Sequence, residues 1–269
     1  MTDFLQQMAE QSTQRVANAQ QTFTAGQLDK PVYNLKLQSF DIIAEIKDRS
    51  PSEGRLAAPT RSRVQQAQDY VQGGAAAISV LTEPTRFAGE LKHLEEVSDV
   101  AGAGGIPTMR KDFLVDPLQI LEARAAGASG VLLIAAMLSD KVLNAMLDCA
   151  WEHSMFVLLE SFDGADLNRT GKILGSNRGL RQAEQAKFFA GVNTRDLRTL
   201  QVDPDRLKDL ASALPDNIVC VAESGLHNTA QVKSAAALGY RMALVGTVFM
   251  RSVEPQKLLS DMLSAGRGA

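Results

Sequence analysis

Short apolar segments recur along this chain at nearly regular intervals, and this repetition constrains the fold more than any other feature. Their starts lie 24 to 35 residues apart, which is the combined length of a strand and a crossover helix. Each segment except the last is followed by residues with helical patterning. Continuous apolar strands are typical of a parallel sheet buried on both faces. The segments are Asp41–Lys47, Ala76–Leu81, Ile106–Lys111, Gly130–Ala135, Met155–Glu160, Phe188–Asn193, Ile218–Glu223 and Met242–Gly246.

Eight strand–helix units predict a closed (β/α)8 barrel, an α/β fold in which one parallel sheet closes on itself. The chain has 269 residues, close to the roughly 250 residues of a single barrel domain. We therefore expect one domain over residues 1–269. Residues 1–40 lie before the first unit and are rich in glutamine, and they are expected to form an N-terminal helical extension.

The segment after the third apolar run illustrates the helix pattern. In residues 117–128, Leu118, Leu121 and Ala125 recur at helical spacing and predict the stripe that packs on the sheet. Gly127 follows that stripe and predicts the end of the helix, because glycine readily adopts the left-handed conformation needed there.

The composition argues against several functional classes. Hydrophobic residues make up 45% and charged residues 22% of the chain, an ordinary globular mixture. The formal net charge is −3, and no cluster of Lys and Arg suggests nucleic-acid binding. No apolar run reaches the roughly 18 residues of a membrane span, and Met1–Gln7 does not resemble a signal peptide. Cys149 and Cys220 are expected to be free thiols in a cytoplasmic protein.

Metal and dinucleotide sites are not expected either. His93, His153 and His227 have no further ligand at metal-binding spacing. The glycines in residues 102–105 precede a predicted strand, whereas a dinucleotide-binding loop follows one.

Charged and polar residues gather at the ends of five predicted strands. In an α/β barrel the C-terminal strand ends carry the active site. Glu45 and Lys47 are two residues apart, so both side chains leave the same face of their strand, while Ala44 and Ile46 face the helices. Such residues could simply pair with one another, but a buried ring of them is costly and favours a site with shifted pKa values. The other ends carry Arg110–Asp112, Glu160, Asn193 with Arg195, and Glu223–Ser224.

Glycines after the last two strands predict what the site binds. Gly225 follows the seventh run, and Gly246 with Thr247 follows the eighth. Backbone N–H groups at these two positions form the phosphate site of many barrels. A phosphorylated small molecule is therefore the expected ligand. Phe87 and Phe113 follow the second and third runs, where they either line an apolar pocket or belong to the core.

Several of these motifs together resemble the indole-3-glycerol phosphate synthase family of tryptophan biosynthesis. The match begins with Ala44–Lys47 and Ser50–Gly54 and covers residues 40–255. The combination is more specific than any one motif. The further segments, in the same order as in the family, are Ser79–Glu83 with Phe87 and Gly89, Arg110–Phe113, Gly191–Leu197, Glu223–Gly225, Val245–Gly246 and Met250–Ser252.

The resemblance implies a cofactor-free lyase. The family converts 1-(2-carboxyphenylamino)-1-deoxyribulose 5-phosphate to indole-3-glycerol phosphate with loss of carbon dioxide and water. Carried over, Lys111 is the general acid, and we expect neighbouring cations to lower its pKa. Glu160 is the general base of the dehydration, assisted by Glu45. Lys47 binds the substrate carboxylate or phosphate and can share the acid role.

The resemblance also implies the substrate contacts. Ser50 supports the first loop, and Phe87 and Phe113 flank the substrate. The anthranilate and ribulose groups are assigned to Asn193, Arg195, Glu223 and Ser224, and the phosphate to Gly225, Gly246 and Thr247.

Residues 165–187 depart from the family pattern, because this strand–helix unit is longer than expected. We interpret them as a surface insertion, with a lid or a contact with another tryptophan-pathway enzyme as functional alternatives. Three other functions stay open: a diverged paralogue, a phosphosugar isomerase on the same barrel, and a non-catalytic barrel partner of another biosynthetic enzyme.

Overall fold

Eight parallel strands close into a barrel, which confirms the predicted fold class. The computed structural model of the chain describes residues 3–19, 22–51, 54–56 and 61–269. Each strand pairs with its neighbours in sequence, and the first pairs with the eighth. The strands are β1 Asp41–Ile46, β2 Ala77–Leu81, β3 Thr108–Lys111, β4 Gly130–Ile134, β5 Phe156–Ser161, β6 Phe188–Asn193, β7 Val219–Glu223 and β8 Met242–Val245.

A small antiparallel pair follows β1, formed by Arg49–Ser50 and Gly54–Arg55. Ser52 and Glu53 of the family motif lie outside the described residues.

Helices surround the barrel. The short 3₁₀ turns are Ala135–Met137 and Ala211–Ala213. The α-helices are α1 Phe4–Asn18, α2 Ala25–Leu28, α3 Arg63–Gly73, α4 Pro84–Phe87, α5 Leu91–Ala103, α6 Pro117–Ala125, α7 Asp140–Glu152, α8 Gly164–Leu174, α9 Asn177–Glu184, α10 Arg206–Asp209, α11 Thr229–Ala237, α12 Thr247–Arg251 and α13 Pro255–Arg267.

The prediction that no helical segment follows the last strand is wrong, because α12 and α13 follow β8. Helix α13 starts with Pro255 in its first turn, a favourable position for proline. Its buried residues Leu259, Met262 and Leu263 recur at helical spacing, so the sequence does contain an amphipathic pattern after the last strand.

Successive side chains of each strand point to opposite faces of the sheet, and they therefore contribute to two separate hydrophobic cores. Ala44 and Ile46 belong to the outer core between sheet and helices, as predicted. Inside the barrel a second cluster fills the space below the C-terminal strand ends. Its strand residues include Ile43, Met109, Leu132, Leu158, Phe189, Val221 and Leu244.

Helix α6 ends where predicted, with Gly127 at a φ of 92°, but the predicted apolar stripe is wrong. Leu118, Leu121 and Ala125 are only partly buried, and the buried face carries Gln119, Ile120, Ala123 and Arg124. The two polar side chains have internal partners. Gln119 accepts from the Val115 N–H at 2.7 Å and donates to Ser12 Oγ at 2.9 Å, and Arg124 donates to the Lys30 carbonyl. Buried polar groups with such partners are tolerated.

The predicted N-terminal helix is α1, which lies at the C-terminal end of the barrel. Asp3 caps it by accepting from the Gln6 N–H at 2.7 Å. Leu5 and Met8 are buried in the interior cluster that includes Phe113. None of the described helices is both long enough and apolar enough to cross a membrane.

Residues 165–187, predicted as a surface insertion, contain most of α8 and all of α9. Leu167, Thr170 and Leu174 of α8 are buried, so this helix packs on the barrel. Helix α9 is more exposed. Its Arg178 pairs with Asp148 and stacks over Trp151.

Candidate active site

A cavity of about 350 Å³ opens at the C-terminal ends of the strands. Polar residues from β1, β3, β5 and β6 lie in its wall, together with loops after β7 and β8. Every residue to which the sequence assigned a catalytic or substrate-binding role lines it except Glu223. These lining residues are Glu45, Lys47, Ser50, Phe87, Lys111, Phe113, Glu160, Asn193, Arg195, Ser224, Gly225, Gly246 and Thr247.

Glu45 and Lys47 form an ion pair at the end of β1, with 2.6 Å between Oε1 and Nζ. Their alternate positions on the strand direct both side chains into the barrel. Burial favours the neutral form of Glu45, but the positive charges of Lys47 and Lys111 outweigh it and lower the pKa of this carboxyl. Glu45 is therefore ionised at neutral pH.

Lys111 at the end of β3 lies between two carboxylates. Its Nζ is 3.4 Å from Glu160 Oε2 and 3.3 Å from Glu223 Oε2. Burial favours the neutral amine, but Glu223, Glu160 and Glu45 outweigh burial and raise the pKa of Lys111. The expectation that neighbouring cations lower this pKa is therefore wrong, because carboxylates surround the ammonium group.

Glu223 contacts Lys111 rather than the cavity. Its side chain is 1% exposed. Glu223 does not line the cavity, so the expectation that it contacts the substrate is not met in this structure. Burial and the nearby Glu160 carboxylate raise the pKa of Glu223 well above its ordinary value, and Lys111 opposes them only in part.

The loop after β6 positions Asn193 and Arg195. Asn193 Oδ1 accepts from the Arg195 N–H at 2.9 Å. The Arg195 guanidinium donates to the Leu200 carbonyl at 3.3 Å. The loop is thereby folded back, so that Leu200 and Val202 also reach the cavity.

The loops after β7 and β8 form another part of the wall. Ser224 and Gly225 both have positive φ, 65° and 72°, so the backbone turns sharply as β7 ends. Gly246 precedes Thr247, the first residue of α12. Backbone N–H groups at a helix start point away from the helix and suit an anion.

Two phenylalanines form an aromatic wall, and α1 supports it. The ring centroids of Phe87 and Phe113 are 6.3 Å apart, and Phe4 packs edge-on against Phe113 at 5.9 Å. Phe113 is 4% exposed. Both alternatives for this pair hold, since they line the cavity and also pack with the interior cluster.

Arg110 was grouped with the converging strand ends, but the structure places it outside the cavity. Its guanidinium lies 2.8 Å from Glu122 and 3.1 Å from Asp112. Arg15 of α1 binds the same Asp112 carboxylate at 2.7 Å. Strand alternation alone indicates that Arg110 and Lys111 face opposite sides. The contact with Arg15 has no comparable signal in the sequence.

Apolar parts of the wall were also missed. Inward-facing strand residues line the cavity. Loop residues that belong to none of the sequence motifs line it as well. His227, considered only as a metal ligand, lies in the wall as well. These additional residues include Leu81, Leu132, Ile134, Leu197, Leu200, Val202, Leu226, His227 and Leu244. Among the described residues no group of three or more His, Cys, Asp and Glu side chains is arranged to hold a metal ion.

Solved structures share the fold at low sequence identity. Thiamine phosphate pyrophosphorylase from Pyrococcus furiosus superposes with a TM-score of 0.56 at 13% identity, covering 86% of this chain and 96% of that chain. A mutant mandelate oxidase with a monooxide FMN adduct gives 0.57 at 16% identity, covering 90% and 79%. At these identities the likeness shows the barrel fold alone.

Sequence relatives are much closer. An indole-3-glycerol phosphate synthase of Mycobacterium ulcerans is 40% identical over 232 residues, which cover 86% of this chain and 79% of the relative. One of Micrococcus luteus is 42% identical over 225 residues, which cover 83% and 78%. The family model for indole-3-glycerol phosphate synthase matches residues 3–262. The chain therefore belongs to the indole-3-glycerol phosphate synthase family.

Proposed function

We propose that the protein converts 1-(2-carboxyphenylamino)-1-deoxyribulose 5-phosphate to indole-3-glycerol phosphate, carbon dioxide and water. One observation carries the proposal within this family. The cavity holds a protonated lysine, Lys111, within 3.4 Å of the Glu160 carboxylate, beside the Glu45–Lys47 pair. An acid and a base side by side are what ring closure followed by dehydration requires.

Lys111 acts as the general acid in ring closure. The aromatic carbon that bears the carboxylate attacks the ketone carbon, and a carbon–carbon bond forms. Lys111 gives its proton to the ketone oxygen, which becomes a hydroxyl group. The raised pKa keeps the proton on Lys111 before the reaction, and the proton moves only as negative charge develops on the ketone oxygen. The carboxylate then leaves as carbon dioxide, and its bonding electrons restore the aromatic ring.

Glu160 acts as the general base in dehydration. Its side chain lines the cavity, and its Oε2 lies 3.4 Å from Lys111 Nζ. Glu160 takes a proton from the substrate carbon next to the one that bears the new hydroxyl group, and the electrons of that C–H bond form the ring double bond. The hydroxyl group leaves as water with a proton from Lys47, which shares the acid role. Glu45, ionised and inward-facing, assists this step.

The remaining wall binds the substrate. Lys47 pairs with the substrate carboxylate or phosphate. Phe87 and Phe113 flank the anthranilate ring. Ser50 supports the first loop. The anthranilate and ribulose groups are held by Asn193, Arg195 and Ser224, and the phosphate by Gly225, Gly246 and Thr247.

Three broader features belong to the same proposal. The chain acts as a single domain over residues 1–269 in the cytoplasm. Residues 165–187 contact another enzyme of tryptophan biosynthesis through the exposed α9. Co-purification of the parent, but not of an Arg178→Ala/Arg181→Ala variant, with such an enzyme would support that contact.

Purified protein mixed with the ribulose phosphate should develop indole fluorescence. No fluorescence from protein that binds the substrate would contradict the proposal. Growth of a tryptophan auxotroph lacking this step, after the gene is supplied, separates the main pathway enzyme from a diverged paralogue or a phosphosugar isomerase. A non-catalytic partner has no need for Lys111 and Glu160 together, so their proximity argues against that alternative.

A further inference from the structure

Gly191 is an inward-facing position in the middle of β6. Along this strand Phe189 belongs to the interior cluster, while Phe188 and Ala190 belong to the outer core. Gly191 shares the inward face with Phe189 and with Asn193, which lines the cavity. At this position the barrel interior receives no side chain from β6.

The backbone does not explain this glycine. Gly191 is absent from the residues with positive φ among those described, so any amino acid could adopt its conformation. Glycine inside a strand lowers stability by roughly 0.5–1 kcal/mol relative to alanine. Such a glycine often marks the close approach of another group.

The group that approaches is the carboxyl of Glu223. A Cβ atom at Gly191 would overlap Glu223 Oε1, and it would lie 3.3 Å from Glu223 Cδ and 3.2 Å from Leu158 Cδ1. Glu223 is on the neighbouring strand β7, where it pairs in register with Asn193. The missing side chain of Gly191 is thus the space that the Glu223 carboxyl occupies.

From that space Glu223 reaches Lys111. One carboxyl oxygen, Oε1, is buried against Gly191 of β6. The other, Oε2, is 3.3 Å from Lys111 Nζ. The only other carboxylate that forms an ion pair with Lys111 among the described residues is Glu160. Displacing Glu223 would remove one of the two contacts that fix the ammonium group.

We infer that Gly191 is a positioning residue for the reaction, because its lack of a side chain lets Glu223 hold Lys111 in its place at the cavity. The inference rests on the proposed function, in which Lys111 is the general acid. Gly191 itself touches no reacting atom. A substitution there acts through Glu223 and Lys111.

The test compares two substitutions alone and together. Gly191→Ala should lower kcat by about a hundredfold, the cost of misplacing a catalytic group by roughly 1 Å, with KM changed less than about threefold. Glu223→Asp shortens the side chain by one methylene. In the parent it should lower kcat, because the carboxylate withdraws from Lys111. In the Gly191→Ala background it should raise kcat, because the overlap is relieved.

This reversal of sign distinguishes positioning from general damage. The inference is overturned if Gly191→Ala keeps the parent kcat, or if Glu223→Asp lowers kcat in both backgrounds. If Gly191→Ala alone does not fold, recovery of folded protein on adding Glu223→Asp supports the inference, and failure to recover it counts against it.

Gly130→Ala is the matched control. Gly130 is also a strand glycine of the barrel, and its added Cβ would overlap the Phe156 ring instead of a carboxyl. We expect this variant to lose thermal stability and to keep kcat. An equal loss of kcat in both alanine variants would mean that overpacking alone explains the effect.

A crystal structure of Gly191→Ala separates this inference from the proposed function. The distance from Glu223 Oε2 to Lys111 Nζ should exceed the 3.3 Å of the parent. An unchanged distance overturns the inference whatever the activity. An inactive parent, in contrast, overturns the proposed function, while the crystal structure still decides how Gly191 acts on Glu223.

Discussion

A buried ammonium group is costly unless anions lie close by, and Lys111 has two carboxylates within 3.4 Å. This arrangement keeps the proton on the lysine in the resting enzyme. It also means that the ammonium group is held from two sides, so its position depends on the carboxylates as much as on its own strand. The protonation of Lys111 and the position of its ammonium group therefore depend on the same two carboxylates.

Replacing Lys111 by alanine removes the proposed acid. We expect Lys111→Ala to lose at least about a hundredfold in kcat, the usual contribution of general acid catalysis, while circular dichroism stays unchanged. Lys233→Ala, on the exposed face of α11, is the control and should keep the parent kcat. Turnover of Lys111→Ala within about tenfold of the parent would exclude the lysine as the acid.

At the scale of single elements, α4 depends on one buried carboxylate. Glu83 is 1% exposed and accepts from the N–H groups of Thr85, Arg86 and Phe87 at 2.8, 2.7 and 3.1 Å. A helix of four residues does not form by itself. Glu83 therefore holds α4, and with it the ring of Phe87 at the cavity.

Glu83→Ala should release Phe87 and weaken substrate binding. We expect a severalfold rise in KM with a smaller change in kcat, together with a loss of about 1–2 kcal/mol of stability from the missing cap. Glu90→Ala is the matched control, because Glu90 precedes α5 without a side-chain capping bond. Steady-state kinetics and urea unfolding of both variants provide the measurement. Equal KM values for the two variants would contradict this role of Glu83.

Helix α1 is attached to the barrel by Arg15. Its guanidinium binds both oxygens of the buried Asp112 carboxylate, at 3.0 and 2.7 Å, next to Lys111 in sequence. Burial favours the neutral form of Asp112, but Arg110 and Arg15 outweigh it and lower the pKa of this carboxyl. The helix is thus connected to the strand that carries the proposed acid.

Arg15→Met keeps the aliphatic stem but removes these bonds. We expect a loss of about 1–2 kcal/mol in the free energy of unfolding, because bonds to a charged partner contribute more than neutral ones while Arg15 is partly exposed. Arg181→Met on the exposed side of α9 should change stability by less than about 0.5 kcal/mol. Urea denaturation measures both, and equal stabilities would show that α1 docks without this ion pair.

For the molecule as a whole, the sequence predicts what is local and repeated. The strands were predicted because each is a continuous apolar run, and their polar ends line one cavity because strand ends in a barrel meet at one face. The buried face of α6 was missed because Gln119 and Arg124 have distant partners in Ser12 and Lys30. The place of Glu223 depends on Gly191 of another strand. Such contacts exist only after folding.

Burial of Glu223 in the folded protein lowers the free energy of unfolding at pH values where its carboxyl must ionise. Burial and Glu160 raise its pKa well above the ordinary value of 4.5. A carboxyl whose pKa is higher in the folded protein destabilises that protein once it must ionise. This destabilisation is absent below about pH 4.5, where Glu223 is protonated in both the folded and the unfolded protein. It grows as the pH rises toward the pKa of Glu223 in the folded protein.

Glu223→Gln should therefore stabilise the protein while lowering its activity. Glutamine has nearly the same shape and no charge, so it fits the space beside Gly191. We expect a Tm at pH 7 higher than that of the parent by roughly a few degrees, and a difference that shrinks as the pH falls toward 4.5. Glu254→Gln, an exposed residue before α13, is the control and should show neither effect. A lower Tm at pH 7, or a difference independent of pH, would mean that Lys111 needs the charge of Glu223 more than burial opposes it.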